Sequence, residues 1–374
     1  MKNTLVAFFS VIFLLTIKLY AQTESAVLFL PNINLQGQLS WNGYSSISGD
    51  AGSINTLNPA AMHNFKNISA GINYRFETKL NDAWIAGITS ERMKPAIPQS
   101  AGIIIPYGDF RFGLSMAQLY NRDLDFGPLI LTDYSGAETG RADLYMETTF
   151  FRYTAALSYC FRDFLSGSFI LGAGLNYNKI HEYQEMYYFY GDKDIDVLTF
   201  SAGLIYQAET ENGTLKTGIS YESGIKEKEH FGRHYRIDNV DLFYSVISCN
   251  YPARINAGFY FDSNGNLSYA GNLNLILWSD VNQFNNEPQA SGSVIYRFSE
   301  MYSGSAGILF SSVTEKETGP GFDYKFKLSA FYITAGVNIK LPLIDISAAL
   351  ADSHLTGGEW RKQTIAKISF GYSF

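Results

Sequence analysis

Apolar and polar residues alternate strictly along the last segment of the chain. Ala366, Ile368, Phe370, Tyr372 and Phe374 alternate with Lys367, Ser369, Gly371 and Ser373. Successive side chains of a β-strand point to opposite faces, so this segment predicts a strand with one apolar and one polar side. The pattern recurs at Ile68, Ala70, Ile72, Tyr74 and Phe76, and at Phe151, Tyr153, Ala155, Leu157, Tyr159 and Phe161. It returns at Leu198, Phe200, Ala202, Leu204 and Tyr206, and at Phe331, Ile333, Ala335, Val337, Ile339 and Leu341. Each run is about the length a tilted strand needs to cross a bilayer.

The pattern predicts strands near 67–77, 100–106, 109–119, 147–161, 167–180, 196–208, 213–223, 253–262, 267–278, 288–298, 303–312, 328–341, 343–352 and 364–374. From residue 106 onward the connections alternate short and long. Short ones fall near 106–109, 162–166, 209–212, 263–266, 299–302 and 342. Two of them carry the tight-hairpin pairs Asn212-Gly213 and Asn264-Gly265. Long ones fall near 120–146, 181–195, 224–252, 279–287, 313–327 and 353–363. Short turns at one end and long loops at the other mark a transmembrane antiparallel β-barrel, with the short turns periplasmic. Counting back with an even strand number places 78–99 in the first external loop. The alternating stretch 83–90 then becomes a local extension, and the barrel has about fourteen strands (domain 67–374).

Composition supports a lipid-facing wall. Charged residues make up 17% of the 374-residue chain and aromatics 16%, whereas soluble domains carry roughly a quarter charged residues. Lys2, the apolar run at 5–17 and Leu19-Tyr20-Ala21 form an export signal, residues 1–21, with cleavage expected before Gln22. No other apolar stretch reaches the roughly 18 residues of a helical span. Removing Lys2 and Lys18 takes the formal charge from −7 to −9, which argues against a nucleic-acid partner. Cys160 and Cys249 leave two readings open, a disulfide or two separate thiols.

Residues 22–66 show no regular set of strands. Their small and apolar residues, without dense charge, favour a plug packed in the lumen over a disordered periplasmic arm. Within them, Gly49-Asp50-Ala51-Gly52 is followed by Leu57-Asn58-Pro59-Ala60-Ala61-Met62. Pro fixes φ and Asn bonds its local backbone, so Asn58-Pro59 suits a sharp bend. Further on come Pro106-Tyr107-Gly108-Asp109, Phe112-Gly113-Leu114, Asp133-Tyr134, Gly140-Arg141 and the run Leu171-Gly172-Ala173-Gly174-Leu175-Asn176-Tyr177. In this order and spacing the motifs resemble the FadL/TodX family of hydrophobic-compound channels, over about residues 45–180 and the aromatic terminus. Ala142, Asp143 and Leu144 depart from the aromatic and His that the family often has after Gly-Arg. The resemblance implies a fourteen-stranded barrel whose N-terminal hatch blocks the lumen, with Asn58, Pro59 and Ala60 as hinge or anchor. It implies passive diffusion of hydrophobic molecules, typically long-chain fatty acids, and release through a kink or lateral gap in the wall.

Ligand capture asks for aromatic contact area and a cation for a carboxylate. The loop 181–195 offers Tyr187, Tyr188 and Phe189; the loop 224–252 offers Phe231, Arg233, His234 and Arg236. These are the capture candidates, and they equally suit mutual packing or a headgroup girdle. Arg141 is a candidate for a lumen carboxylate or the ligand, with a surface salt bridge as the plainer role. Asp352-Ser353-His354 superficially forms a triad, but neighbours on one strand seldom converge on one point. The sequence has no metal-ligand spacing and no phosphate-binding loop, so neither enzyme nor cofactor is expected. The expected partners are a hydrophobic small molecule and outer-membrane lipid, with the protein a monomer. The competing reading is a non-transporting barrel scaffold of a protein-secretion machinery.

Overall fold

The computed structural model describes residues 50–56, 58–77, 90–93, 98–132, 137–164, 166–186, 189–237, 240–278, 285–312, 329–356 and 362–374. The export signal and the whole segment before residue 50 lie outside these residues. Fourteen antiparallel strands form the wall. They are β1 (Ser69–Glu77), β2 (Ser100–Tyr107), β3 (Phe110–Thr132), β4 (Glu138–Phe164), β5 (Gly167–Met186), β6 (Phe189–Thr210) and β7 (Gly213–Glu222). The second half is β8 (Arg254–Ser263), β9 (Leu267–Ile276), β10 (Glu287–Arg297), β11 (Tyr302–Ser311), β12 (Ala330–Lys340), β13 (Ile344–Asp352) and β14 (Thr364–Ser373). Each pairs with its sequence neighbour, β7 pairs directly with β8, and β1 closes on β14 from Ser69↔Ser373 to Glu77↔Ile365. Closure removes the edges that an open sheet would leave unpaired.

The alternation read from the sequence has the expected sense. On β4 the side chains of Phe150, Arg152, Thr154, Ala156, Ser158 and Cys160 are buried in the lumen, while Tyr153, Leu157 and Phe161 are exposed outside. On β14 Lys367 and Ser369 point inward and Phe370 and Tyr372 outward. A polar lining inside and an apolar coat outside are what a bilayer demands of a barrel. The turn between β2 and β3 is two residues long, and Gly108 takes φ +58° there, a backbone that favours glycine. Rings collect near this end: Phe110 lies 4.6 Å from Tyr159, and Tyr372 lies 4.7 Å from Phe374, centroid to centroid.

Three of the expected long loops prove to be largely strand. β3 and β4 are 23 and 27 residues long, against the roughly 9–11 that cross a bilayer. β5 and β6 likewise continue as a hairpin to Met186↔Phe189. Between β7 and β8 stands a hairpin of two further strands, Ile225–Ile237 and Val240–Tyr251, paired mainly with each other. Continuing the ladder keeps backbone donors and acceptors paired beyond the membrane, and irregular loops would forgo that. Of the stretch near 83–90, residues 83–89 lie outside the described residues; Ser90–Met93 pairs with the outer part of β3, and β1 pairs with β2 directly. Cys160 is a free thiol. It sits near the short-turn end of β4, and the disulfide reading is not realised.

Candidate functional site

Two short 3-10 turns, Ala51–Thr56 and Pro59–Asn64, lie against the inside of the wall. Asn58 caps the second turn. Its Oδ1 accepts from Ala60 N at 3.0 Å, and Pro59 occupies the first turn, where its missing N–H costs nothing. The same side chain reaches the wall: Nδ2 donates to Leu204 O at 3.1 Å and to Ile219 O at 3.2 Å, on β6 and β7. Asn58 thus fixes both the shape of the turn and its seat.

The approach is close because the wall is bare beneath the turns. Gly71, Gly102, Gly113, Gly172 and Gly203 face, in order, Gly52, Ala51, Met62, Ala60 and Asn58. A Cβ at 71 would lie 2.6 Å from Gly52 N, and side chains at the other four positions would overlap the turns. Ala60 and Ala61 then enter an apolar cluster with Cys160, Ile170, Ile205, Ala270 and Ile295. These residues come from β4, β5, β6, β9 and β10, so the second turn bridges wall strands that are not neighbours.

The first turn is held by polar contacts. Lys367 Nζ lies 2.9 Å from Asp50 Oδ2 and donates to Ser53 Oγ at 3.0 Å. Asn73 Nδ2 donates to Asp50 Oδ1 at 2.8 Å and reaches Ser53 and Ser100 Oγ at 2.9 Å each. Burial opposes ionisation of Asp50, but Lys367 and the hydrogen bonds from Lys367, Asn73 and Ser53 outweigh it and hold the carboxyl below its ordinary range. His63, toward the short turns, is lowered as well, which for an imidazole favours the neutral form: burial, then Arg111, bring it to about 4. Arg111 ties the end of the segment to the wall through Phe65 O at 2.8 Å.

Farther toward the long loops, the lumen carries a second polar belt. Arg152 on β4 pairs with Glu222 on β7 and donates to Asn178 Oδ1 at 2.7 Å. Arg254 Nε on β8 lies 3.8 Å from Glu222 Oε2. Tyr251 stacks beneath both guanidiniums, 5.7 Å from Arg152 and 5.2 Å from Arg254, and Phe150 faces Arg152 at 5.6 Å. Next to it, Glu287 accepts from Trp278 Nε1 at 2.8 Å and from Gln289 Nε2 at 2.7 Å, and also from Ser311. None of these belt residues stood out in the sequence, because 152, 222, 254 and 287 are brought together only by strand register.

The wall also holds an apolar recess of about 970 Å³. Outward side chains such as Ile72, Ile103, Leu114 and Tyr153 line it on the outer face of the wall, and it extends over Gly71 and Gly102.

Of the sequence candidates, Asn58, Pro59 and Ala60 lie at the seat of the second turn. The capture loops are brought together at backbone level, since Phe189 pairs with Tyr235 and Tyr190 with His234. Phe231, Arg233 and Arg236 share that hairpin strand, while Tyr187 and Tyr188 lie outside the described residues. Arg141 sits on the outer extension of β4, its backbone opposite Ile130. Ser353 Oγ accepts from Gln363 N at 2.7 Å and donates to Gln363 O at 3.1 Å, so it clamps the β13–β14 connection. His354 Nδ1 lies 3.2 Å from Asp352 Oδ2. Among the described residues no cluster of His, Cys, Asp and Glu is arranged to hold a metal.

A fourteen-stranded wall with turns of its own N-terminal segment docked in the lumen places the chain in the architectural class of the FadL/TodX-type barrels. The Pseudomonas putida toluene transporter TodX superposes with a TM-score of 0.62 at 13% identity, over 89% of this chain and 96% of that one. The Ralstonia pickettii toluene transporter TbuX gives 0.60 at 12%, over 90% and 97%. A Pseudomonas aeruginosa FadL homologue gives 0.58 at 14%, over 92% and 98%. The chain shares its fold with these proteins. No family model matches it, and no curated protein matches its sequence.

Proposed function

We propose that the protein is a bacterial outer-membrane channel for passive uptake of hydrophobic compounds, the class that includes long-chain fatty acids and the toluene of TodX and TbuX. The observation that carries this reading is a lumen bridged by Ala60 and Ala61, beside an apolar recess on the outer face of the wall at Gly71 and Gly102. A water-filled pore would not be bridged in this way. Residues 22–66 serve as the hatch, seated by Asn58 and by the Asp50–Lys367 pair. The joined hairpins around Phe189 and His234 form the outer capture surface, with Tyr187, Tyr188, Phe231, Arg233 and Arg236 supplying contact area and charge. The recess beside Gly71 and Gly102 is the exit toward lipid, since an apolar solute gains nothing by continuing into the aqueous periplasm.

The test is entry of toluene and of a pyrene-labelled fatty acid into vesicles whose outer leaflet contains lipopolysaccharide. Reconstituted protein speeds entry relative to heat-denatured protein. Equal rates, with the barrel shown to be folded, would overturn the reading and leave a scaffold role in its place.

A further inference from the structure

The recess of about 970 Å³ lies on the face of the wall that alternation assigns to lipid. Two outward rows of side chains line it. The strand registers run one row through Ala70, Leu114 and Ala155, and the other through Ile72, Ala101 and Tyr153. The rows continue to Ile344 on β13 at one end and to Leu198 on β6 at the other. That path crosses eight neighbouring strands, or seven steps of about 4.8 Å, roughly 34 Å in all. The alanines keep its floor low, and behind it Gly71 and Gly102 rest on the first turn with no side chain between. The result is a trough, long and two residues wide. An extended acyl chain can follow its length, whereas a single aromatic ring covers a fraction of it.

One end of the trough leads into polar side chains. Tyr177 lines the recess, and its hydroxyl donates to Asp196. Lys179 is the next outward residue on β5 and stands opposite Asp196 in the ladder. All three are exposed. One step farther, His181 Nδ1 lies 3.1 Å from Asp194 Oδ1. Lys179 is 12 residues beyond Gly167, the first residue of β5, just past the roughly 9–11 that cross a bilayer. This end therefore sits among the headgroups of the outer leaflet. Its ammonium suits a phosphate, and its carboxylate and hydroxyl suit the hydroxyls and amide N–H groups of a sugar.

We propose that the recess binds one molecule of an outer-leaflet glycolipid, lipid A, with an acyl chain laid along the trough and the phosphorylated sugar at Tyr177, Lys179 and Asp196. The site itself rests on the recess and its polar end. Its consequence for release, that a departing solute displaces the chain, rests on the channel reading.

Native mass spectrometry of the purified full-length protein in detergent tests the site separately from transport. The probes are hexa-acylated lipid A and palmitoyl-oleoyl phosphatidylethanolamine, each titrated alone. One lipid A is expected to be held per barrel, about tenfold more tightly than the phospholipid. Ala101→Phe combined with Ala155→Phe fills the trough and should weaken lipid A about tenfold. Lys179→Gln combined with Asp196→Asn should weaken it about fivefold, the size of one exposed charge contact, and leave the phospholipid unchanged. Ala306→Phe, on the outer face of β11 away from the trough, should change nothing. Phospholipid held as tightly as lipid A would overturn the proposal. So would trough substitutions that leave lipid A binding intact in folded protein, or that weaken it no more than Ala306→Phe does. Entry of toluene into vesicles reads the channel itself. If lipid A is held as expected but toluene enters no faster, the channel reading fails and the site stands. If toluene enters faster and lipid A is not held, the site fails and the channel stands.

Discussion

Gly203→Ala is the sharpest probe of how the docked turns, the proposed hatch, are held. A Cβ at this position would overlap Asn58 Oδ1 and lie 2.7 Å from Asn58 Cγ. The amide would have to leave its place and release three hydrogen bonds, to Ala60 N, Leu204 O and Ile219 O. At roughly 1 kcal/mol net for each bond, the loss is about 3 kcal/mol, or about a hundredfold in the docking equilibrium. Asn58→Ala removes the same three bonds and should cost a similar amount. The two effects arise from one contact, so they must not add. With Ala at 58 the two nearest obstructing atoms are gone and only Ile219 O, at 3.1 Å, remains close, so Gly203→Ala costs much less in that background. The measurement is hydrogen exchange of the amides of residues 58–62, with proteolysis of the segment as a second probe. A double substitution whose cost equals the sum of the singles would refute the proposed contact.

Acid should loosen the hatch in two stages. His63 titrates at about 4 when docked and near 6.5 when released. The released state then binds more protons between those values, so docking weakens as pH falls from 6.5 to 4. Asp50, with its docked carboxyl lowered, stabilises docking above its ordinary pKa and loses that contribution only as pH falls through the lower value. Exchange of residues 50–66, corrected for intrinsic rate, should show both stages, and His63→Asn should flatten the first. Lys367→Met strands the buried Asp50 carboxylate and should release the first turn, at about 3–5 kcal/mol; Asp50→Asn combined with it should recover much of the loss. Replacing Tyr188 and Phe231 by Ala should slow entry of an apolar probe several-fold without altering heat stability. Unchanged entry would take the two hairpins out of the pathway.

The wall was legible because the bilayer imposes a period of two on its strands, and β4, β9 and β14 carry it plainly. The hairpin extensions were not, since the run Asn121-Arg122-Asp123-Leu124-Asp125 interrupts the apolar alternation in the sequence, and polar strands resemble loops. The hatch seat was half legible. Asn58-Pro59 announces a bend in the sequence, but that its amide reaches β6 and β7 depends on a register no local pattern encodes. The belt was not legible at all. Arg152 and Glu222 each occupy a polar inward position that alternation predicts, and nothing in their neighbours marks them as partners seventy residues apart. Alternation assigns faces; chemistry inside the lumen arises from which rows of different strands share a level.

The belt also has an internal order of importance that the geometry fixes. Glu222 is shared by two guanidiniums, so Glu222→Gln leaves two buried cations side by side. Removing one member of a buried pair costs about 3–5 kcal/mol, and here the remaining members repel as well. Arg152→Met leaves Glu222 with Arg254 alone, at 3.8 Å. Arg254→Met disturbs least: the Arg152–Glu222 pair survives, and Glu287 keeps its donors Trp278, Gln289 and Ser311. Heat stability, read from the temperature at which the folded band shifts on a denaturing gel, should therefore fall most for Glu222→Gln, less for Arg152→Met and least for Arg254→Met. The opposite order would mean that Arg254, rather than Glu222, holds the belt together.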